Sequence, residues 1–445
     1  LNIAKMSESP DQNKQTPSPK ASAGASQTKS AGALAAGNIT AMVLRLAGGI
    51  ILVKFLSPTE LGTINGVGLV MVYASFLQLG AINGLNRELP FYLGTGDRDR
   101  AYDLASCTFA WAMACGVVAG TAAFAWAGWE AMSDHGDLAV VWVAYGLALV
   151  LFYPNLYLKA TFRTSAEFVK LALCHTITAV GAFILLGVVW KTGFRGQCFR
   201  LGTIAVIEIF LLWRWRPIRV TARFKWSQWL HLIKIGLPIF GVGYFYSVWR
   251  SMDRAYILKA LGREQLGFYQ LATLTRLAGM SITIAVSQII YPRMAHAYGK
   301  HGDRSMLLKV GRKPLKLLLV LAIPVLIGAW FAIEPIVQWL VPRYLPGVPA
   351  AKWTLVDVYL LCFTPQFAVF NVMKKQIHYA IAMGAGLGTF VLSAAFLPEI
   401  NSDPLVSFAQ AMAMGTAVFV LLAYVMAYRL TRPEKAATGD QTPTT

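Results

Sequence analysis

The strongest constraint on this chain is a succession of apolar runs, each about twenty residues long and separated by short basic stretches. A helix needs about 20 apolar residues to span a bilayer. About twelve such runs can be placed here, using roughly 240 residues at that length. They fall near 31–53, 61–83, 101–128, 138–158, 168–190, 198–213, 233–258, 266–290, 314–333, 354–373, 377–397 and 404–428. What remains is two tails and short connections, with no room for a soluble catalytic domain. Composition agrees: only 14% of the 445 residues are charged and 56% are hydrophobic. The expected fold is therefore an all-α polytopic membrane protein with about twelve transmembrane helices.

Net charge is +19, from 40 Lys and Arg against 21 Asp and Glu. In a soluble protein that excess would suggest nucleic acid. In a polytopic protein it follows from the enrichment of Lys and Arg in cytoplasmic loops, so no nucleic-acid partner is expected. With both tails cytoplasmic, most of the basic residues fall on the cytoplasmic side. The 214–234 connection carries Arg214, Arg216, Arg219, Arg223, Lys225 and Lys234. The loop holding Glu130, Asp134 and Asp137 contains no Lys or Arg and falls outside. Such alternation requires an even number of spans.

An internal repeat divides the chain. ILVKFLSPTELG (51–62) matches YILKALGREQLG (256–267), aligning Lys54 with Lys259, Leu61 with Leu266 and Gly62 with Gly267. At the same offset Arg45 aligns with Arg250. One residue later in register, Arg87 meets Arg293, and Gly96-Asp97-Arg98 meets Gly302-Asp303-Arg304. The offset covers six helices, an even number, so both halves keep one orientation. The expected organisation is two six-helix lobes related by a parallel pseudo-twofold repeat, as in secondary transporters with a site between halves. Residues 1–30 read as a disordered cytoplasmic tail, 31–216 as the first lobe, 217–232 as a basic cytoplasmic linker, 233–428 as the second lobe and 429–445 as a second cytoplasmic tail. Leu1 opens the chain, and Met6 is a candidate start.

Charges inside the spans are the candidate functional residues, because one at a helix centre costs about 2.5–3.5 kcal/mol on insertion scales. The candidates taken from among them are Arg45, Glu208, Arg250, Asp253, Arg254 and Arg276, with Asp357 near a span end. At 1.5 Å per residue, Arg45 and Arg250 lie about 12 Å, and Arg276 about 15 Å, from the outer ends of their helices. Three cations from three helices would then share one layer. Arg250 and Arg254 lie on one helical face, and Asp253 is placed to hold the Arg250 guanidinium. One reading is a cationic cavity of Arg45, Arg250, Arg254 and Arg276 that receives an anion, since guanidinium matches phosphate oxygens. The other is structural, with Arg250 and Asp253 neutralising each other. Asp253, Glu208 and Asp357 are candidates for ion coupling or pairing. The six histidines show no ligand spacing, and no CxxC, phosphate-loop, nucleophile-elbow or zinc signature occurs. No catalytic residue, metal or cofactor is therefore expected.

Four stretches carry a resemblance. RLAGGIILVKFLSPTELGTING (45–66) resembles the first helix and following loop of the polysaccharide flippases, the Wzx-type O-antigen and repeat-unit exporters. LIKIGLPIFGVGYFYSVWRSMDRAYILKALGREQLGFYQLA (232–272) resembles the start of their second lobe, and YPRMAHAYGKHGD (291–303) and LVPRYLPGVPAA (340–351) are similar to family stretches. The resemblance implies membership of the multidrug/oligosaccharidyl-lipid/polysaccharide exporter superfamily. It implies a glycan on polyprenyl diphosphate as substrate, moved from the cytoplasmic to the periplasmic leaflet of a bacterial inner membrane. Glycosyltransferases and a polysaccharide polymerase would be its partners. A cation-coupled multidrug antiporter of the same fold and a membrane glycan polymerase or ligase are the competing readings. The excess of Arg in the spans counts against the first, and the lack of a large outer catalytic loop against the second.

Overall fold

The computed structural model describes residue 37, residues 40–301 and residues 304–432, and every regular element among them is helical. Among the described residues ten helices are long and apolar enough to cross a membrane, and Phe168–Ile184 is a shorter apolar helix. In chain order the elements used below are α1 (40–55), α2 (Pro58–Gly68), α3 (Ala81–Thr95), α4 (Arg98–Met132), α5 (Gly136–Thr164), α6 (Phe168–Ile184) and α7 (Leu186–Arg214). They continue with α8 (Trp226–Leu261), α9 (Arg263–Phe268), α10 (Gln270–His301), α11 (Ser305–Leu340), α12 (Val348–Leu361), α13 (Gln376–Ile400) and α14 (Pro404–Thr431). The expected tail at 1–30 lies outside the described residues, as do 31–36 of the first expected span and 433–445 of the second tail.

Local chemistry sets the helix starts. Ser57 caps α2: its hydroxyl accepts from the Glu60 backbone N–H at 3.3 Å, and the Glu60 carboxylate accepts from the Ser57 N–H at 2.7 Å. Pro58 follows at the first helical position, where its missing N–H costs nothing. Asp97 caps α4 through the Arg100 N–H at 3.1 Å, and Asp403 caps α14 through the Leu405 N–H at 2.9 Å. Gly262, at φ +87°, turns the chain from α8 into α9, a conformation that side chains with a Cβ rarely adopt.

Two expected connections are helical instead. Residues 81–95 form α3, separated from α2 by short helical pieces over 70–78 and a turn at Leu79 and Gly80 (φ 50° and 80°), and α10 runs through the connection expected after 290. The outer connection expected at 191–197 is a tight turn inside the range of α7: at Gly193 (φ 58°, ψ −129°) the chain folds back, so that Arg200 reaches the Ala182 carbonyl at 2.7 Å and Gly181 lies against Ile207. Hydropathy marks where a helix is apolar, whereas backbone hydrogen bonding carries each helix past that zone.

One end of the molecule is a clasp between N-terminal and C-terminal helices. The backbones of α2 and α9 touch. A Cβ on Gly62 would lie 1.7 Å from the Arg263 carbonyl oxygen, and one on Gly267 would lie 1.8 Å from that of Pro58. The contact is reciprocal, since Gly267 follows Gly62, and Arg263 follows Pro58, by the same 205 residues that separate the hydrogen-bonded pair Asn65 and Gln270. Tyr344 donates to the Leu56 carbonyl at 2.9 Å and Arg343 donates to the Val53 and Lys54 carbonyls, capping the end of α1. Leu56, Leu61, Ile64, Leu266, Phe268 and Tyr344 bury their side chains in this clasp. Deeper in the bundle α3 meets α8, where a Cβ on Gly236 would lie 1.9 Å from the Gly80 carbonyl oxygen. Nearby, Glu88 and His231 approach to 3.1 Å.

Candidate functional site

The charged residues of the spans separate into two groups of different character. The first is a buried ionic quartet. α8 presents Arg250 and Asp253 one turn apart, α10 brings Arg276, and α12 brings Asp357. Arg250 donates both terminal nitrogens to Asp357, at 3.2 and 2.5 Å. Arg276 donates to Asp253 at 2.7 Å and to Asp357 at 3.2 Å. Thr416 on α14 accepts from Arg250 at 3.0 Å and donates to Asp357 at 2.6 Å. Tyr269 donates to Asp253 at 2.9 Å, and the Arg254 backbone N–H donates to the other Asp253 oxygen at 2.8 Å. All four ionic residues are buried, Asp253 and Asp357 completely.

Two cations and two carboxylates cancel, and their lone pairs and protons are nearly all used. An anion could enter only by displacing a carboxylate, so the quartet ties α8, α10, α12 and α14 together and is not a free cationic surface. Arg250 and Arg276 do share a layer, as their depths require, but through Asp357. The expected Arg250–Asp253 pair is not formed: Asp253 faces Arg276, and the partner of Arg250 comes from α12. Arg254 differs from its neighbours. It is half-buried, its Nε has no hydrogen-bond partner, and its guanidinium is within electrostatic range of Tyr145 on α5.

The second group lies among the N-terminal helices. Arg45 on α1 is exposed and has no ion pair among the described residues. Arg45, Lys159, Arg163 and Glu208 all lie within electrostatic range of His175 on α6. Lys159 and Arg163 are one turn apart near the end of α5. Glu208 on α7 holds Lys159 at 2.8 Å and accepts from Asn155 at 3.4 Å. Among the described residues Arg45, Lys159 and Arg163 outnumber the one carboxylate here, and Arg45 and Arg163 are exposed. A net positive, accessible cluster is what binding a multiply charged anion requires.

Sequence reasoning did not select Lys159, Arg163, His175, Tyr269, Thr416 or Arg200. Lys159 and Arg163 were read as loop charges, and Tyr269 and Thr416 carry no charge to attract notice. Arg200 is buried on α7, donating to the Ala182 carbonyl at 2.7 Å and to Gln197 at 3.0 Å, and so serves the end of α6.

A family model described as polysaccharide biosynthesis protein matches residues 51–344, well over half the chain. The chain belongs to that family. No curated protein matches it by sequence. Among solved structures, an inward-facing multidrug resistance MATE transporter of the MOP superfamily superposes with a TM-score of 0.72 at 13% identity, covering 87% of this chain and 94% of the other. The lipid II flippase MurJ in an inward closed conformation gives 0.70 at 13% identity, covering 89% and 87%. An outward-facing MATE transporter of the superfamily gives 0.62 at 15% identity, covering 91% and 95%. At such identities the likeness is one of fold, so this polysaccharide biosynthesis protein shares the helical fold of those structures. Its charged residues have to be interpreted from their own geometry.

Proposed function

We propose that this protein is a flippase that moves polyprenyl-diphosphate-linked oligosaccharide repeat units from the cytoplasmic to the periplasmic leaflet of a bacterial inner membrane. The observation that carries the reading is the contrast between the two charged groups. The quartet is neutral and closed, while Arg45, Lys159 and Arg163 leave positive charge unbalanced where an anion can reach it. A diphosphate brings the charge and the oxygen acceptors that such a cluster lacks.

Alternating access would rock two six-helix lobes, 31–216 and 233–428, about the basic linker at 217–232. The reciprocal Gly62 and Gly267 contacts support a pseudo-twofold relation between them. With both tails cytoplasmic, the clasp closes the periplasmic end and the protein faces inward. The higher superposition with the inward-facing MATE transporter supports that state. The sugar head would follow the diphosphate into the cavity while the lipid tail stays in the bilayer. Glycosyltransferases would supply the cargo and a polysaccharide polymerase would consume it. No chemical step on the cargo is needed, so no catalytic residue or cofactor is assigned. A cation-coupled antiporter needs a carboxylate free to exchange an ion. Asp253 and Asp357 are each held by several donors, and Glu208 is held by Lys159.

Deletion of the gene tests the reading. Polyprenyl-diphosphate oligosaccharide should accumulate while surface polysaccharide disappears. Restoration by wild-type protein but not by an Arg45→Ala, Lys159→Ala, Arg163→Ala triple variant of normal abundance would support the assigned cluster. Unchanged glycans together with new sensitivity to cationic drugs would replace the flippase by the antiporter.

A further inference from the structure

Away from both charged groups lies a groove of about 670 Å³ between α10, α11 and α12. Its α10 wall is one helical face, Thr275, Gly279, Ile282, Val286 and Ile289. Its origin lies in two features of the sequence. Gly279 lets α10 close on α12, since a Cβ there would lie 2.2 Å from a Val358 methyl. α11 contains Pro314, Pro324 and Pro335, each of which removes a ladder hydrogen bond, and it leaves a trough beside α10.

The lining is carbon almost throughout. The Thr275 hydroxyl is turned back onto the Leu271 carbonyl at 2.9 Å, and the Cys362 thiol onto that of Val358 at 3.4 Å. The groove therefore offers hydrocarbon a partner and a sugar or phosphate none. It opens where bilayer hydrocarbon lies, beside the outward faces of Leu317 and Val325 on α11. From Thr275 to Ile289 it extends about 21 Å along α10, more than the roughly 15 Å thickness of one leaflet's hydrocarbon. An acyl chain anchored in one leaflet ends near the midplane, whereas a polyprenyl chain is long enough to follow the whole groove. One end of the groove adjoins Arg276 in the layer of buried charge, and α10 also touches α1 where a Cβ on Gly49 would lie 2.5 Å from Leu274. The helix carrying Arg45 and the helix bordering the groove are thus in contact.

We infer that the groove between α10 and α11 holds the polyprenyl tail of the cargo while its diphosphate occupies the Arg45 cluster. This rests on the cargo being a polyprenyl diphosphate. Tail capture on one helix pair would give the lipid a fixed path across the midplane.

The test uses the full-length protein in phosphatidylcholine nanodiscs. One probe is undecaprenyl diphosphate carrying a photoactivatable group in its tail, and the other is phosphatidylcholine carrying the same group in an acyl chain. Binding of the first probe is measured in parallel. The expected result is labelling of α10 and α11 peptides by the polyprenyl probe about tenfold above the phospholipid probe at equal mole fraction. Ala322→Trp or Ala329→Trp, which fill the groove from α11, should remove that excess while diphosphate binding persists. Equal labelling by both probes would make the groove an ordinary lipid contact and overturn the inference. Polyprenyl labelling confined to other helices would overturn it too and leave the flippase reading standing. No binding of undecaprenyl diphosphate to wild-type protein would remove the flippase reading itself, and the inference with it. The wild-type comparison decides the matter even if neither tryptophan variant folds.

Discussion

Replacing Asp357 by alanine is the sharpest probe of the claim that the quartet is structural. Asp357 is completely buried and receives two bonds from Arg250, one from Arg276 and one from Thr416. Its removal leaves Arg250 with only the Thr416 oxygen, and leaves two buried guanidinium groups facing the single carboxylate of Asp253. Loss of one partner from a buried ion pair costs about 3–5 kcal/mol, because the remaining charge stays desolvated without compensation. At 1.4 kcal/mol per decade that is roughly a hundred- to several-thousand-fold in the folded-to-unfolded ratio. The double variant Arg250→Met, Asp357→Leu removes both charges and should recover most of the loss, since apolar replacement of a whole buried pair is often neutral. The assay is unfolding of purified protein in mixed micelles by rising SDS, followed by tryptophan fluorescence, across the full double-mutant cycle. Arg45→Ala serves as the control and should leave the unfolding curve unchanged, because Arg45 is exposed and has no ion pair among the described residues. A loss below about 1 kcal/mol for Asp357→Ala, with the two substitutions additive, would refute the structural role.

Other expectations follow from single contacts. Glu208→Gln should free Lys159 and tighten binding of a diphosphate head several-fold in an equilibrium assay, while changing stability by no more than about 1 kcal/mol, as befits a partly exposed pair. Gly267→Leu cannot be accommodated beside the Pro58 carbonyl, so the clasp should open, read as longer spin-label distances between α2 and α9. Tyr344→Phe removes the bond to the buried Leu56 carbonyl and should cost about 1–3 kcal/mol in the same SDS titration. For topology, a single cysteine at Asp134→Cys should react with an impermeant maleimide on intact spheroplasts, and one at Arg219→Cys should react only after lysis.

Hydropathy alone made the all-helical membrane class legible, because an unsatisfied backbone group is too costly in lipid for other spanning structures. The matching stretches 51–62 and 256–267 each contain a glycine, Gly62 and Gly267, at which the backbones of the clasp touch. The intramembrane charges were found by rarity, and four of them, Arg250, Asp253, Arg276 and Asp357, meet in one quartet. Their partners were not legible. Asp253 was three residues from Arg250 and seemed its natural mate, yet the mate came from α12, 107 residues away. Lys159 and Arg163 looked like loop charges because a polar helix end and a loop have the same composition. The sequence by itself determined what each segment could do in a membrane, as periodicity and composition act locally. Only the tertiary structure decided which cations are neutralised and which remain available, because charge pairing depends on helices that are distant in sequence being brought within a few ångströms.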